Sequence, residues 1–99
     1  MFNKIKAVSQ SIGDNSHPAT KVFKATEEFG EYITEMGIHH GFISNKQPGA
    51  DGPIGEAADV MVTTLDMLIR TFPDLTQEEF EKVLDSKLNK WKRIYGHTE

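Results

Sequence analysis

Residues 55–69 read GEAADVMVTTLDMLI, a stretch whose apolar side chains recur at the helical period of about 3.6 residues. These apolar residues cover more than half of the circumference of the predicted helix, whereas a surface helix carries a single apolar stripe. They are Ala57, Ala58, Val60, Met61, Val62, Leu65, Leu68 and Ile69. The sequence therefore predicts that this helix lies in the middle of a bundle or at a subunit interface.

A narrow polar strip runs along the same predicted helix. Its members are Glu56, Asp59, Thr63, Asp66 and Arg70. Glu56 and Asp59 are three positions apart, so their carboxylates point in the same direction. Because two carboxylates on a largely buried helix are costly unless a cation neutralises them, the strip is the first indication of a metal site.

Length and composition limit the class of protein. The 99 residues predict a single domain spanning 1–99. The chain has 11 Lys+Arg against 15 Asp+Glu, a net charge of −4, which argues against a nucleic-acid binder. The absence of cysteine excludes disulfides and Cys-ligated metals and is compatible with an expected cytoplasmic location. We also expect no membrane association, because no apolar run approaches the roughly 18 residues of a membrane span.

The whole chain is predicted to be helical, since no segment shows the alternation of a strand. Turn residues and caps divide it into segments at 2–12, from 18 to about 37, from 53 to about 72, and 77–95. The expected fold is all-α, a helical bundle of three main helices plus a short N-terminal helix, completed by dimerisation. Thr76, with Glu79 three residues later, is a capping box for the last helix.

The predicted loop at residues 38–53 is long for a small domain, and such loops often serve as a lid or a binding wall. It contains His39 and His40, to which the pattern assigns no role.

Two acidic motifs lie on successive predicted helices. Residues 27–31 form the pattern EExxE, and residues 56–59 form ExxD. The 24 residues between Glu31 and Glu56 allow the two helices to pack antiparallel. Such packing brings four carboxylates together, which cannot all stay ionised without cations, and hard oxygen ligands suit Mg²⁺ or Mn²⁺. The predicted metal ligands are Glu28, Glu31, Glu56 and Asp59.

The second half of the last predicted helix is basic. Its cations are Lys87, Lys90, Lys92 and Arg93, with Lys82 one turn earlier. Because Mg²⁺ in proteins commonly completes its shell with water and phosphate oxygens, these cations are candidates to bind the rest of a polyphosphate.

Three segments in this order, EEFGE, EAAD and KLNKWKRIYG, resemble the MazG-like branch of the all-α nucleoside triphosphate pyrophosphohydrolases. The resemblance covers roughly residues 18–96. It implies hydrolysis of nucleoside triphosphates, including deoxy or noncanonical ones, between the α and β phosphates. The products would be a nucleoside monophosphate and pyrophosphate. The cofactor would be Mg²⁺, for which Mn²⁺ could substitute.

The resemblance also implies roles for individual residues. Glu28, Glu31, Glu56 and Asp59 would hold the metal. Glu27 and Glu31 are the catalytic candidates, either of which would accept the proton of the attacking water. Lys87, Lys90 and Arg93 would contact the phosphates. Members of the family are dimers or tetramers, so a homodimer or homotetramer is expected.

Other functions are compatible with parts of the pattern. Phosphoribosyl-ATP pyrophosphohydrolase shares both acidic helices, although the KLNKWKRIYG segment is closer to the MazG-like branch. A non-catalytic helical dimer that binds a nucleotide or a protein is the second alternative. A carboxylate-bridged di-iron bundle is disfavoured, since it would need Glu-x-x-His, whereas Glu28 is followed by Glu31 and Glu56 by Asp59. The sequence does not select a base or a sugar.

Overall fold

The computed structural model describes residues 1–13 and 16–96, and within these ranges the chain is helical without any strand. Its elements are α1 (Phe2–Ile12), a 3₁₀ turn (Pro18–Thr20), α2 (Lys21–His39), α3 (Gly52–Thr71) and α4 (Gln77–Tyr95). The all-α prediction is confirmed. Within the described ranges, no helix combines the length and the apolar character that crossing a membrane requires.

Helix α3 is the central element, because it packs against both α1 and α2. Helices α2 and α3 run antiparallel: Lys21 lies beside Asp66 at one end of the pair, and Glu28 approaches Glu56 at the other. The predicted central position of the 55–69 segment and the predicted antiparallel packing of the two acidic helices are therefore both confirmed.

The apolar core is small. Phe2, Leu65 and Ile69 are its buried side chains, and Phe2 stacks on Phe80 with ring centroids 5.2 Å apart. Further contacts come from partly buried residues around them, namely Ile5, Leu68 and Leu75. This core joins α1, α3 and the first turn of α4, but no residue of α2 belongs to it.

Polar contacts centred on Asp66 hold α1, α2 and α3 together. The Ser9 hydroxyl donates a hydrogen bond of 2.6 Å to Asp66, and Arg70 Nε donates another of 2.9 Å. Lys21 Nζ lies 3.8 Å from the second oxygen of the same carboxylate. Each of the three helices thus contributes a partner to one partly buried charge.

Two boundaries of α2 differ from the prediction. Residues 18–20 form a 3₁₀ turn ahead of the α-helix, and α2 continues through Gly37 to His39. A glycine inside a helix costs only about 1 kcal/mol, and Gly37 O accepts hydrogen bonds from Phe42 N and Ile43 N of the following loop. The helix ends at His39, the backbone becomes left-handed at Gly41, with φ of 81°, and the loop spans residues 40–51.

The acidic face of α2, and not its apolar face, is directed toward α3. Its apolar residues Phe29 and Ile33 are 54% and 51% exposed, whereas Glu28 and Glu35 are only 6% and 7% exposed. The helix therefore directs glutamates toward α3 and leaves an apolar stripe on the surface of the single chain.

Helix α4 begins at Gln77 as predicted, but beyond its first turn it extends away from the rest of the chain. The capping box is confirmed, since Glu79 N donates to Thr76 Oγ1 and Thr76 N donates to Glu79 Oε1. From Glu81 to Gly96 every residue is exposed. The exposed apolar side chains of this segment are Val83, Leu84, Leu88, Trp91, Ile94 and Tyr95.

Replacing Asp66 with alanine should lower the free energy of unfolding by about 1.5–3 kcal/mol, because a charged acceptor shared by Ser9 and Arg70 is lost. Urea denaturation at a fixed protein concentration measures the change. The exposed Asp74 provides the control, since Asp74→Ala should change stability by less than about 0.5 kcal/mol. Equal effects of the two substitutions would contradict the assigned role of Asp66.

Candidate metal centre

The groove between α2 and the start of α3 contains two groups of carboxylates. In the first, one oxygen from each of Glu28, Glu31 and Glu56 lies within 4.8 Å of the other two. In the second, the same holds for Asp51, Glu56 and Asp59. Glu56 belongs to both groups, so the two sets of ligands adjoin each other.

The inner part of the groove is buried and incompletely neutralised. Lys24 Nζ lies 2.9 Å from Glu28 Oε1, one helical turn away on α2. Glu28 Oε2 and Glu56 Oε2 are both buried, and neither has a hydrogen-bond partner. Lys24 therefore neutralises only part of a cluster in which several carboxylates compete for positive charge.

The crowding changes proton affinities in the groove. Burial raises the pKa of Glu56, and the nearby carboxylates of Glu31, Asp59 and Glu28 raise it further. The hydrogen bond to Glu28 raises the pKa of Lys24, since it favours the charged ammonium. Both shifts have the same direction because carboxylates are crowded around the two groups.

A divalent cation fits this donor set. Within the described residues, three buried side-chain oxygens lack a partner, and they belong to Glu28, Glu35 and Glu56. Two of the three are members of the carboxylate groups, and these groups offer only hard oxygen donors. Such donors suit Mg²⁺ or Mn²⁺ rather than a metal that requires sulfur or imidazole.

The predicted acidic residues occupy distinct positions in the groove. Glu28 and Glu56 form its inner part, while Glu31 and Asp59 lie at its exposed rim. Glu27 lies outside both carboxylate groups, but it lines an open cavity of about 420 Å³ together with Glu31 and Glu56.

Lys87, Lys90 and Arg93 are exposed on α4, which makes no extensive contact with α2 or α3 of the same chain. The single chain does not bring these three cations to the carboxylates. His39 and His40 are exposed at the end of α2, where their rings meet edge to face, and they belong to neither carboxylate group.

Sequence reasoning missed several residues at the groove. Asp51 precedes α3, so helical spacing from Glu56 does not reveal it. Glu35 continues the acidic face of α2 one turn beyond Glu31, and this spacing was an available signal. Lys24 has a similar signal, as it lies one turn before Glu28.

A second open cavity, of about 360 Å³, begins one helical turn away from the groove. Lys24 precedes Glu28 by one turn on α2, and Thr63 follows Asp59 by one turn on α3. Its apolar walls come mainly from α1 and α3, and its cations come from all three helices. The lining residues are Lys4, Ile5, Val8, Ser9, Ile12, Lys21, Lys24, Val62, Thr63, Asp66 and Arg70.

Comparison of the chain with protein-family models, with curated proteins and with solved structures finds no match. The resemblance carried by the sequence motifs therefore stays a prediction.

The raised pKa of Glu56 predicts a pH dependence of stability in the absence of divalent cations. The folded chain holds this proton more tightly than the unfolded chain, so stability should fall as the pH rises from about 4.5 through the raised pKa. Glu56→Gln removes this loss and should be at least as stable as the wild type at pH 7. Denaturation with a chelator, from pH 4 to pH 8 on a roughly unit-spaced series, measures both proteins.

Glu81→Gln, on the exposed part of α4, is the matched control and should follow the wild type. A Glu56→Gln protein less stable than the wild type at pH 7 would contradict the view that this carboxylate is under strain in the metal-free groove.

Proposed function

We propose that the chain is a Mg²⁺-dependent nucleotide pyrophosphohydrolase that converts nucleoside triphosphates to nucleoside monophosphates and pyrophosphate. The observation that carries the proposal is the pair of adjoining carboxylate groups that share Glu56, with buried oxygens that have no partner. Adjoining oxygen-donor sites of this kind suit phosphoryl chemistry, in which cations bridge a polyphosphate and its attacking water.

Each group of residues would have a separate task. Glu28, Glu31, Glu56 and Asp59 would hold Mg²⁺, with Asp51 as an additional ligand on the α3 side. When bound, Mg²⁺ supplies positive charge to the phosphate oxygens.

Glu27 or Glu31, at the rim of the open cavity, would accept the proton of the attacking water. The water oxygen then bonds to phosphorus while the bridging P–O bond between the α and β phosphates breaks. The electron pair of that bond leaves with pyrophosphate.

The cavity of about 360 Å³ is suited to the nucleoside part of the substrate. Ile5, Val8 and Val62 provide apolar walls for a base, and Ser9 and Thr63 provide polar groups beside them. Its volume lies in the range of roughly 300–1,000 Å³ that is usual for small-molecule sites.

We also propose that the functional unit is a homodimer or a tetramer of dimers. The chain has an accessible surface of 7619 Å², against about 5,700 Å² expected for a compact monomer of 11.1 kDa. Its radius of gyration is 16.3 Å, against about 13 Å for a globular chain of this length. The excess of roughly 1,900 Å² per chain is comparable to one partner's share of a large obligate interface.

The apolar stripes of α2 and α4 are the surfaces that such an interface would cover. Phe29 and Ile33 on α2, and Leu88 and Trp91 on α4, are all at least 46% exposed in the single chain. Soluble monomers avoid large continuous apolar patches. A two-fold dimer buries the same patch on both copies.

Dimerisation would also bring the basic helix α4 close to a substrate bound in the groove of the second copy. Because α4 makes no extensive contact with α2 or α3 of its own chain, its cations would reach the acidic groove of a second copy. Lys87, Lys90 and Arg93 would then contact the phosphates bound to the partner's carboxylates.

Asp59→Asn should lower turnover by at least about 100-fold while leaving the helical content unchanged, because it replaces a charged carboxylate of the second group with a neutral amide. Pyrophosphate and monophosphate release should be measured over a panel of triphosphates, including deoxy and noncanonical ones and phosphoribosyl-ATP, with and without Mg²⁺. Asp85→Asn on the exposed face of α4 is the control.

Wild-type turnover by Asp59→Asn at saturating Mg²⁺ would refute the ligand assignment. Binding of triphosphates without release of pyrophosphate would favour the non-catalytic dimer. Selective hydrolysis of phosphoribosyl-ATP would favour the alternative enzyme.

The contribution of α4 across the dimer can be tested by complementation. A chain with Lys87→Ala, Lys90→Ala and Arg93→Ala should bind triphosphates at least about tenfold more weakly, because charge-assisted contacts are lost. Co-expression of this triple variant with Asp59→Asn should restore up to about a quarter of the wild-type sites, since each mixed dimer contains one intact site. Full activity of the triple variant alone would exclude α4 from the site.

A further inference from the structure

The loop between α2 and α3, residues 40–51, is held at both of its ends. Near its start, the backbone N–H groups of Phe42 and Ile43 donate to Gly37 O over 2.8 and 3.1 Å. Near its end, Gly49 N donates to Glu35 Oε1. The chain between these two anchors is thereby fixed beside the acidic groove.

Glu35 is an unusual anchor for a loop. It is only 7% exposed, and its Oε2 is buried without a partner, although it belongs to neither carboxylate group. Burying a carboxylate is costly, so its hydrogen bond to Gly49 is the visible compensation. Gly49 also permits a close approach, since a Cβ at this position would lie 2.6 Å from Glu35 Oε1.

Lys46 lies between the two anchors and faces the same cavity as the catalytic candidates. The residues that line this cavity are Glu27, Gly30, Glu31, Thr34, Glu35, Lys46 and Glu56. Among these lining residues, all within the described chain, Lys46 is the one cation. The hydrogen bond between Glu35 and Gly49 thus fixes the segment that carries a positive charge to the open side of the metal groove.

We propose that Lys46 binds the β- and γ-phosphates of the substrate, the part that leaves as pyrophosphate, and that Glu35 positions the loop for this contact. The inference rests on the proposed function. A lysine ammonium is a compact point charge that suits a terminal phosphate, and a loop lysine can remain beside the carboxylates until a substrate arrives. Lys46 is therefore a substrate-binding residue, whereas Glu35 is a positioning residue.

The first test compares ligands that contain or lack the leaving group. With Mg²⁺ present, calorimetry on the full chain should show that Lys46→Ala weakens binding of pyrophosphate and of a non-hydrolysable triphosphate at least about tenfold. Binding of the monophosphate should change less than about twofold. Lys46→Arg should retain most of the affinity, because it keeps the charge. Gln47→Ala is the matched control, since Gln47 is exposed in the same loop but does not line the cavity.

The second test concerns Glu35. Glu35→Ala and Gly49→Ala both disturb the bond between the two residues, so each should raise the KM for triphosphate at least about threefold while kcat changes less. Glu35→Gln keeps a side-chain acceptor for Gly49 N and should restore the wild-type KM. A merely structural role would lower kcat and stability together and would leave KM unchanged.

The outcomes separate this inference from the proposed function. If the wild type hydrolyses triphosphates with Mg²⁺ and Lys46→Ala binds pyrophosphate as tightly as the wild type, the role of Lys46 is refuted and the function stands. If Lys46→Ala weakens pyrophosphate and monophosphate equally, the lysine does not select the leaving group and the proposal fails. If the wild type neither binds nor hydrolyses any triphosphate with Mg²⁺, both proposals fail together.

Discussion

The burial of carboxylates between α2 and α3 is the constraint on which the rest of this structure depends. Glu28 and Glu56 each place an oxygen in the groove without a hydrogen-bond partner, and Lys24 neutralises only part of the charge. Among the described residues the buried apolar core has only three members, so it provides little folding free energy to offset the cost of burying unpaired carboxylates. The cation proposed above would resolve the conflict, because it would turn mutual repulsion into ligation and join α2 to α3.

The burial of these carboxylates also explains why the single chain leaves apolar side chains exposed to solvent. Since α2 uses its acidic face against α3, its apolar residues Phe29 and Ile33 are left at the surface. Helix α4 adds a second exposed apolar stripe beyond its first turn. The proposed cation and the proposed second copy would therefore act on opposite faces of α2. The cation would bind the acidic face, and the second copy would cover the apolar face.

The sequence predicted the features that depend on local chemistry. The breadth of the apolar surface on 55–69 identified the central helix, the spacing of Thr76 and Glu79 identified a capping box, and the acidic motifs identified the two helices that meet. Each of these signals is carried by residues a few positions apart, where side-chain direction follows directly from helical geometry.

Other features depend on tertiary contacts and were beyond the reach of the pattern. Lys46 belongs to a loop whose path is set by a hydrogen bond between Glu35 and Gly49, and periodicity does not describe loops. Asp51 lies before the first turn of α3, where helical spacing no longer relates it to Glu56. Helix α2 extends past Gly37, where the loop folds back so that Phe42 N and Ile43 N donate to Gly37 O, and this tertiary contact is not visible in the local pattern.

The most direct test of the central claim is whether the groove binds a divalent cation before any nucleotide is present. Electron paramagnetic resonance counts free Mn²⁺ during a titration of the metal-free protein. We expect at least one bound Mn²⁺ per wild-type chain, which Mg²⁺ should displace. A chain carrying Glu56→Gln should lose most of this binding. A free Mn²⁺ signal that rises in proportion to the added metal, equally in wild type and variant, would contradict the account.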